Sequence, residues 1–244
     1  MKLGRVVTSL LIISIIFFMS GCSKSENELI LVTEAGFAPY EYYEDGEIIG
    51  VDIDIAKEVA KELGKELIIK DVAFDSIIHE IKTGKSDFGA AGISYSDERA
   101  EQVAFSIDYA ESKQVVIVKK DSNIKENSEI KNKKIAVQLG SVADTYITEK
   151  FKKAEIIRQK KYLATVQDLI DGKVDCIVMD ELPAKEIIKT KDNLKILPGY
   201  LTKDSYGIVV KKSNKELLET INKVIKRMQE DGSLEESILR HTTK

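Results

Sequence analysis

The chain has 244 residues, 32% of them charged, with 37 Lys and Arg against 41 Asp and Glu and a formal net charge of −4. Acidic and basic residues are mixed along its length, so no block of like charge points to nucleic acid. Two histidines, His79 and His241, lie far apart without metal-ligand spacing.

The N-terminus reads as a leader. "MKLGR" is a positive start, and Val6 to Met19 are apolar or small, too short for a comfortable membrane span but suited to a signal sequence. The run ends in "MSGC", which looks like a lipobox with Met19 in place of the usual leucine. Residues 1–21 are therefore expected to be a signal peptide, Cys22 a lipidated new N-terminus, and 22–28 a polar tether ("CSKSENE") that holds the protein at the membrane. Several acyl chains would be needed, because one anchors weakly. The remaining cysteine, Cys176 in "VDCIVMD", fits an apolar strand and a core role.

"LILVT" (29–33) predicts a buried strand, followed by a loop, "EAGFAPYEYYEDGEIIG". In "VDIDIAKEVAKEL", Val51, Ile55, Val59 and Leu63 recur at helical spacing, with Ala56 and Ala60 widening the stripe. Asp52 and Asp54 fall in its first turn, where the helix dipole accounts for acids. "LIIKDV" predicts the next strand. Two later stretches then echo each other. "FDSIIHEIKTGKSDFGAAGIS" and "VQDLIDGKVDCIVMDE" each run from helix through Gly-Lys-x-Asp to strand. Gly84 and Gly172 suit helix C-termini. The openings "LILVTEAG" and "KIAVQLGS" also match in pattern. Strand–helix–strand order, met twice, predicts two α/β lobes with mostly parallel sheets.

The echo places a site. Gly92 lies five residues after Asp87, and Asp180 five after Asp175, so both fall at carboxyl ends of equivalent strands. Ligands of open α/β sheets bind there. "GISYSDER", with Arg99, is thus expected to face Asp180 across a cleft, and a cation opposite an acid suits a zwitterion. Phe37, in the aromatic stretch "GFAPYEYY", and Phe74 are candidates for apolar walls. The usual catalytic kits are missing: "TGKSD" lacks the first P-loop glycine, its place being taken by His79, and no Gly-x-Ser-x-Gly occurs.

From about residue 29 to 240 the chain resembles the extracellular solute-binding proteins of polar amino acid ABC transporters, family 3. The resemblance rests on "GVDIDIAKEVAKEL", "AGISYSDER", "AVQLGS" and "YGIVVKKSNKELLETINKVIKRMQEDGSLEESI" together. It implies a two-lobe Venus-flytrap fold, with lobe 1 formed by 29–116 and 207–244 and lobe 2 by 117–206. Crossings are expected near Val115–Lys120 and Lys203–Gly207. It also implies that Arg99 grips the α-carboxylate with the backbone of Ser94 and the turn at Ser141 and Val142. Asp180 takes the ammonium with the backbone around Gly92, Phe37 and Phe74 line the side-chain slot, and Glu34 stands at its far end. Val142 departs from the threonine common in the family, so Arg99 should carry more of the carboxylate grip. No cofactor or metal is expected.

The leading expectation is a monomeric lipoprotein that delivers a polar or basic free amino acid to a membrane permease and its ATPase. An extracytoplasmic sensor, or a dehydratase-like enzyme on the same fold using Glu34 or Asp180 as a proton-transfer group, are the alternatives.

Overall fold

A computed structural model describes residues 27–242; the expected leader and Cys22 lie outside them. The chain enters the fold inside the stretch expected as tether, because strand β1 (Glu28–Thr33) begins at Glu28 and the Asn27 carbonyl already accepts the Glu66 N–H.

The loop expected after β1 contains a hairpin, β2 (Tyr42–Glu44) and β3 (Glu47–Ile49). Its Asp45-Gly46 turn has φ of 51° and 86°, the positive pair that a two-residue hairpin turn demands. Helix α1 (Val51–Leu63) follows and buries Val51, Ile55 and Val59 completely, as its spacing predicts. Each such side chain contributes about 1.5–3 kcal/mol. Then come β4 (Glu66–Asp71), α2 (Ile77–Thr83), β5 (Phe88–Gly89), α3 (Asp97–Ala100) and β6 (Ala104–Phe105).

The long strand β7 (Ala110–Lys119) crosses to the second lobe, which continues with β8 (Lys134–Gln138), α4 (Val142–Lys150), β9 (Glu155–Gln159) and α5 (Tyr162–Ile170). After these run β10 (Cys176–Asp180), α6 (Glu181–Thr190) and β11 (Leu194–Ile196). Strand β12 (Thr202–Tyr206) leads back to β13 (Val209–Val210) in the first sheet, and α7 (Lys215–Glu230) and α8 (Ser233–Thr242) pack on α1.

The first sheet has the order β4-β1-β5-β13-β6 and the second β11-β7-β10-β8-β9, with β12 on β7. Each has three helix-connected parallel strands, β4-β1-β5 and β9-β8-β10. Strands of the crossing segments add antiparallel pairs, so the sheets are mixed. The sequence echo holds at the level of atoms. In each lobe the Asp of Gly-Lys-x-Asp closes the start of the first strand: Asp87 accepts from the Ile30 N–H at 2.7 Å and Asp175 from the Lys134 N–H at 2.8 Å. Gly84 and Gly172 both take φ of 74° after their helices.

The first crossing differs from expectation. Val115–Val118 lie inside the second sheet, paired with β10 and β11, so they are core and not a hinge. The lobes are joined by Ala110–Gln114 of β7, paired along its length with β12. At the second crossing Tyr206 is still on β12 and Val209 is already in the first sheet.

Candidate functional site

The carboxyl ends of β1, β5, β8 and β10 converge on a small enclosed cavity between the lobes. All nine residues singled out as ligand contacts line it, together with Glu41, Ala91, Gln138 and Tyr162.

Arg99 sits on α3, a single turn started by Ser96, whose hydroxyl accepts the Arg99 N–H. Two of its five N–H donors are directed to carbonyls: Nη1 to Ser94 at 2.5 Å, and Nη2 to Gly140 on the opposite lobe at 2.8 Å. Its guanidinium lies 5.4 Å over the Phe74 ring. Burial pulls its pKa below the ordinary value, with the charge of Asp204 opposing. The Ser94 hydroxyl donates to Asp204 at 2.5 Å, which fixes the carbonyl that holds Arg99.

Across the cleft, Asp180 ends β10 and is 5% exposed. Its Oδ1 accepts from Ser112 at 2.6 Å, Gln114 at 2.8 Å and Tyr206 at 2.5 Å, and its Oδ2 from Tyr162 at 3.3 Å. Burial and the charge of Asp204 push its pKa up to about 6, while the donors hold it down.

Gly92 adopts φ of 53°, and a Cβ there would lie 2.5 Å from the Phe37 ring, so both the turn and the close ring require glycine. Its N–H donates to Asp52 at 3.0 Å. Asp52 is therefore more than a dipole-matching acid of the first helical turn: it is fully buried and orients the Gly92 turn. Burial raises Asp52 to about 6. Glu41, fully buried close to Asp52, has its pKa pushed well above the ordinary carboxylate value, first by burial and then by the Asp52 charge. Asp54 has a different task, accepting from Ser237 and His241 of α8.

At the other end of the cavity Glu34 is 1% exposed. Its Oε2 accepts from Gln138 of the second lobe at 3.0 Å, and Oε1 has no hydrogen-bond partner. Burial raises its pKa to about 7, with Lys161 pulling the other way. Phe37 stacks on Tyr162 across the cleft, centroids 4.9 Å apart and 17° from parallel. Phe74 faces Arg99, so the two phenylalanines belong to different parts of the wall. Ser141 caps α4 by accepting the Asp144 N–H, and Asp144 in turn accepts the Gly140 N–H. Val142 opens that helix, where backbone N–H groups lack intrahelical partners.

Gln138 and Tyr162 escaped the sequence reading. Gln138 carried a signal: it is a polar residue closing the apolar run "KIAV", at the strand end equivalent to Thr33, just before Glu34. Tyr162, which opens α5 just after β9, would have needed the same strand-end rule applied to a third strand. Cys176 is core, and burial pushes its thiol up to about 12.

Among known proteins, the chain matches the bacterial extracellular solute-binding proteins, family 3, over residues 29–243. It is 31% identical over 222 residues to the ABC transporter arginine-binding protein 1 of Escherichia coli K12, covering 88% of this chain and 90% of that one. It is 29% identical over 223 residues to the arginine-binding extracellular protein ArtP of Bacillus subtilis 168, covering 88% and 86%. The crystal structure of a mutant of ArgBP from T. maritima superposes with a TM-score of 0.87 at 32% identity, covering 89% of this chain and 96% of that one. The chain thus belongs to the bacterial extracellular solute-binding proteins, family 3.

Proposed function

We propose that this protein captures a free amino acid with a polar or basic side chain between its lobes and delivers it to the permease and ATPase of an ABC importer. The observation that carries the reading is one cavity with a guanidinium on one wall and a carboxylate on the other. Arg99 meets the α-carboxylate through its planar fork, assisted by the N–H groups at the start of α4 around Ser141 and Val142. Asp180 receives the ammonium through Oδ2, the oxygen with a single long donor, and the backbone around Gly92 completes that end. Phe37, Phe74 and Tyr162 supply apolar walls. Glu34 faces the side-chain tip, which favours a donor-bearing group and disfavours an acidic one.

The relatives named above are arginine-binding proteins, and others bind cystine or glutamine by name, which supports a binding protein over an enzyme and a polar or cationic ligand over an aliphatic one. An extracytoplasmic place follows from the family. Among the described residues no helix is long and apolar enough to cross a membrane. Attachment through lipidated Cys22 to a monomeric two-lobe body is part of the same proposal. Cys22→Ser should move the protein from the membrane fraction to the soluble fraction or leave its leader uncut; wild-type protein that is soluble with a free Cys22 thiol refutes the anchor.

Thermal unfolding with each of the twenty amino acids and cystine tests the binding role. A ligand at a hundredfold its Kd adds about 2.7 kcal/mol of stability. Arginine, lysine, histidine, cystine or glutamine should shift the transition. Best binding of glutamate or leucine refutes the side-chain assignment, and no shift with any of them refutes the function.

A further inference from the structure

The mouth of the cleft beside Glu34 holds charges that the proposed grip on the α-carboxylate and ammonium leaves unused. Lys161, just ahead of α5 on the second lobe, reaches across to the first. Its Nζ donates to both oxygens of Asp71, at 2.7 and 2.9 Å, and lies 3.8 Å from Glu34 Oε1. Asp71 ends β4 beside Thr33 of β1, so the two acids stand on neighbouring strand ends. Asp71 is held on several sides, since it also accepts the Ala35 N–H at 3.1 Å and the Tyr43 hydroxyl at 3.2 Å. Glu34 has Gln138 on one oxygen and no hydrogen bond on the other.

The arithmetic of charge is then simple. Two carboxylates and one ammonium leave one negative charge when both acids are ionised. Glu34 is buried, so an uncompensated charge on it is disfavoured, even though Lys161 stands about half exposed at the rim. One positive charge on the ligand brings the group to neutrality, whereas a neutral ligand leaves Glu34 to take up a proton. The geometry points to Lys161 as the specificity-determining residue of this slot: by committing to Asp71 it leaves Glu34 for the ligand, and its charge limits how strongly a cationic side chain is preferred over a neutral one of the same shape. The inference rests on the cleft being an amino acid site.

L-arginine and L-citrulline, which share length and shape but differ in charge, test it by calorimetry on the full chain. Lys161→Met should weaken both, because the contact across the mouth is lost, while the preference for arginine over citrulline rises about tenfold. That is the scale expected for removing a like charge a few ångströms away in a partly screened site. Asp71→Asn should do the opposite, freeing Lys161 to pair with Glu34 and lowering the preference about tenfold. The second variant keeps the test alive if the first does not fold. Equal losses for the two ligands in both variants would make Lys161 a latch only and overturn the inference while leaving the function standing. A wild-type protein that binds neither these nor any other free amino acid overturns the function, and the inference with it.

Discussion

The two walls of the cleft are built on opposite plans. Asp180 accepts four side-chain hydrogen bonds, drawn from β7, β12 and α5, three of them at Oδ1. Arg99 rests on two backbone carbonyls, one of which belongs to the other lobe. The acid is thus set in place within its own lobe and the crossing strands, whereas the arginine takes part of its setting from closure. The contrast follows from chemistry. A buried carboxylate needs donors to remain ionised, while a guanidinium keeps its charge without help and has N–H groups to share with a ligand.

Arg99→Ala attacks the comparison hardest. Truncating one partner of a buried charge pair costs about 2–5 kcal/mol, so calorimetry should show affinity falling thirtyfold to several thousandfold, with Arg99→Lys recovering little. A loss under tenfold would make Arg99 a strut between the lobes. Asp180→Asn should rank next, at about ten- to a hundredfold, since the amide keeps its volume and some hydrogen bonds but loses the charge opposite the ammonium. A ligand that binds this variant as tightly as wild type does not place its ammonium there.

Acid sharpens the contrast. The folded-state pKa of Asp180 is raised from 3.8 to about 6, so it takes up a proton as pH falls through 6, whereas Arg99 stays cationic. Affinity for a neutral amino acid should therefore fall below pH 6, by at most about tenfold per pH unit from this one group. A cationic ligand should weaken from pH 7 downward, because Glu34 is raised to about 7. Folding stability contributed by Asp180 moves the other way. The folded state binds more protons than the unfolded one between 3.8 and 6, so this contribution declines as pH rises across that window. Binding titrations from pH 5 to 8 check the first two signs, and urea unfolding of an Asp180→Asn and wild-type pair from pH 3.5 to 6.5 checks the third. The smallest effect is expected from Tyr206→Phe. It removes one of four donors and should cost a few-fold in affinity, while moving the acid-side midpoint upward. An unchanged midpoint would show that Tyr206 does not hold the charge of Asp180.

Much of this was legible from residues near one another in sequence. The stripe of α1 and the two Gly-Lys-x-Asp turns are local patterns, and their repetition led to Gly92 and Asp180. The hairpin in the first loop is a local pattern too, with Asp45-Gly46 between Tyr42-Tyr43 and Ile48-Ile49. The first crossing was misplaced because "VVIVK" carries no sign of where a strand changes lobes; only its partners, Ile177 and Val178, reveal that it is the middle of a sheet. Asp52 under Gly92, 40 residues away, and Lys161 on Asp71, 90 away, depend on tertiary contacts that no periodicity records. Charges are the least legible of all, because any of the chain's many lysines could answer any acid until the fold chooses.

The crossing segments of β7 and β12 are hydrogen-bonded to each other from Ala110↔Tyr206 to Gln114↔Thr202. Two separate linkers would let the lobes slide and twist as well as open. A zipped ribbon holds its strands in register and so resists sliding, which leaves opening about the ribbon as the easier relative motion. The contact of Lys161 with Asp71 and the reach of Arg99 to Gly140 both span the cleft and would part together as it opens. A pair of labels spanning the cleft would report that opening, the change by which a partner could tell the closed form from the open one.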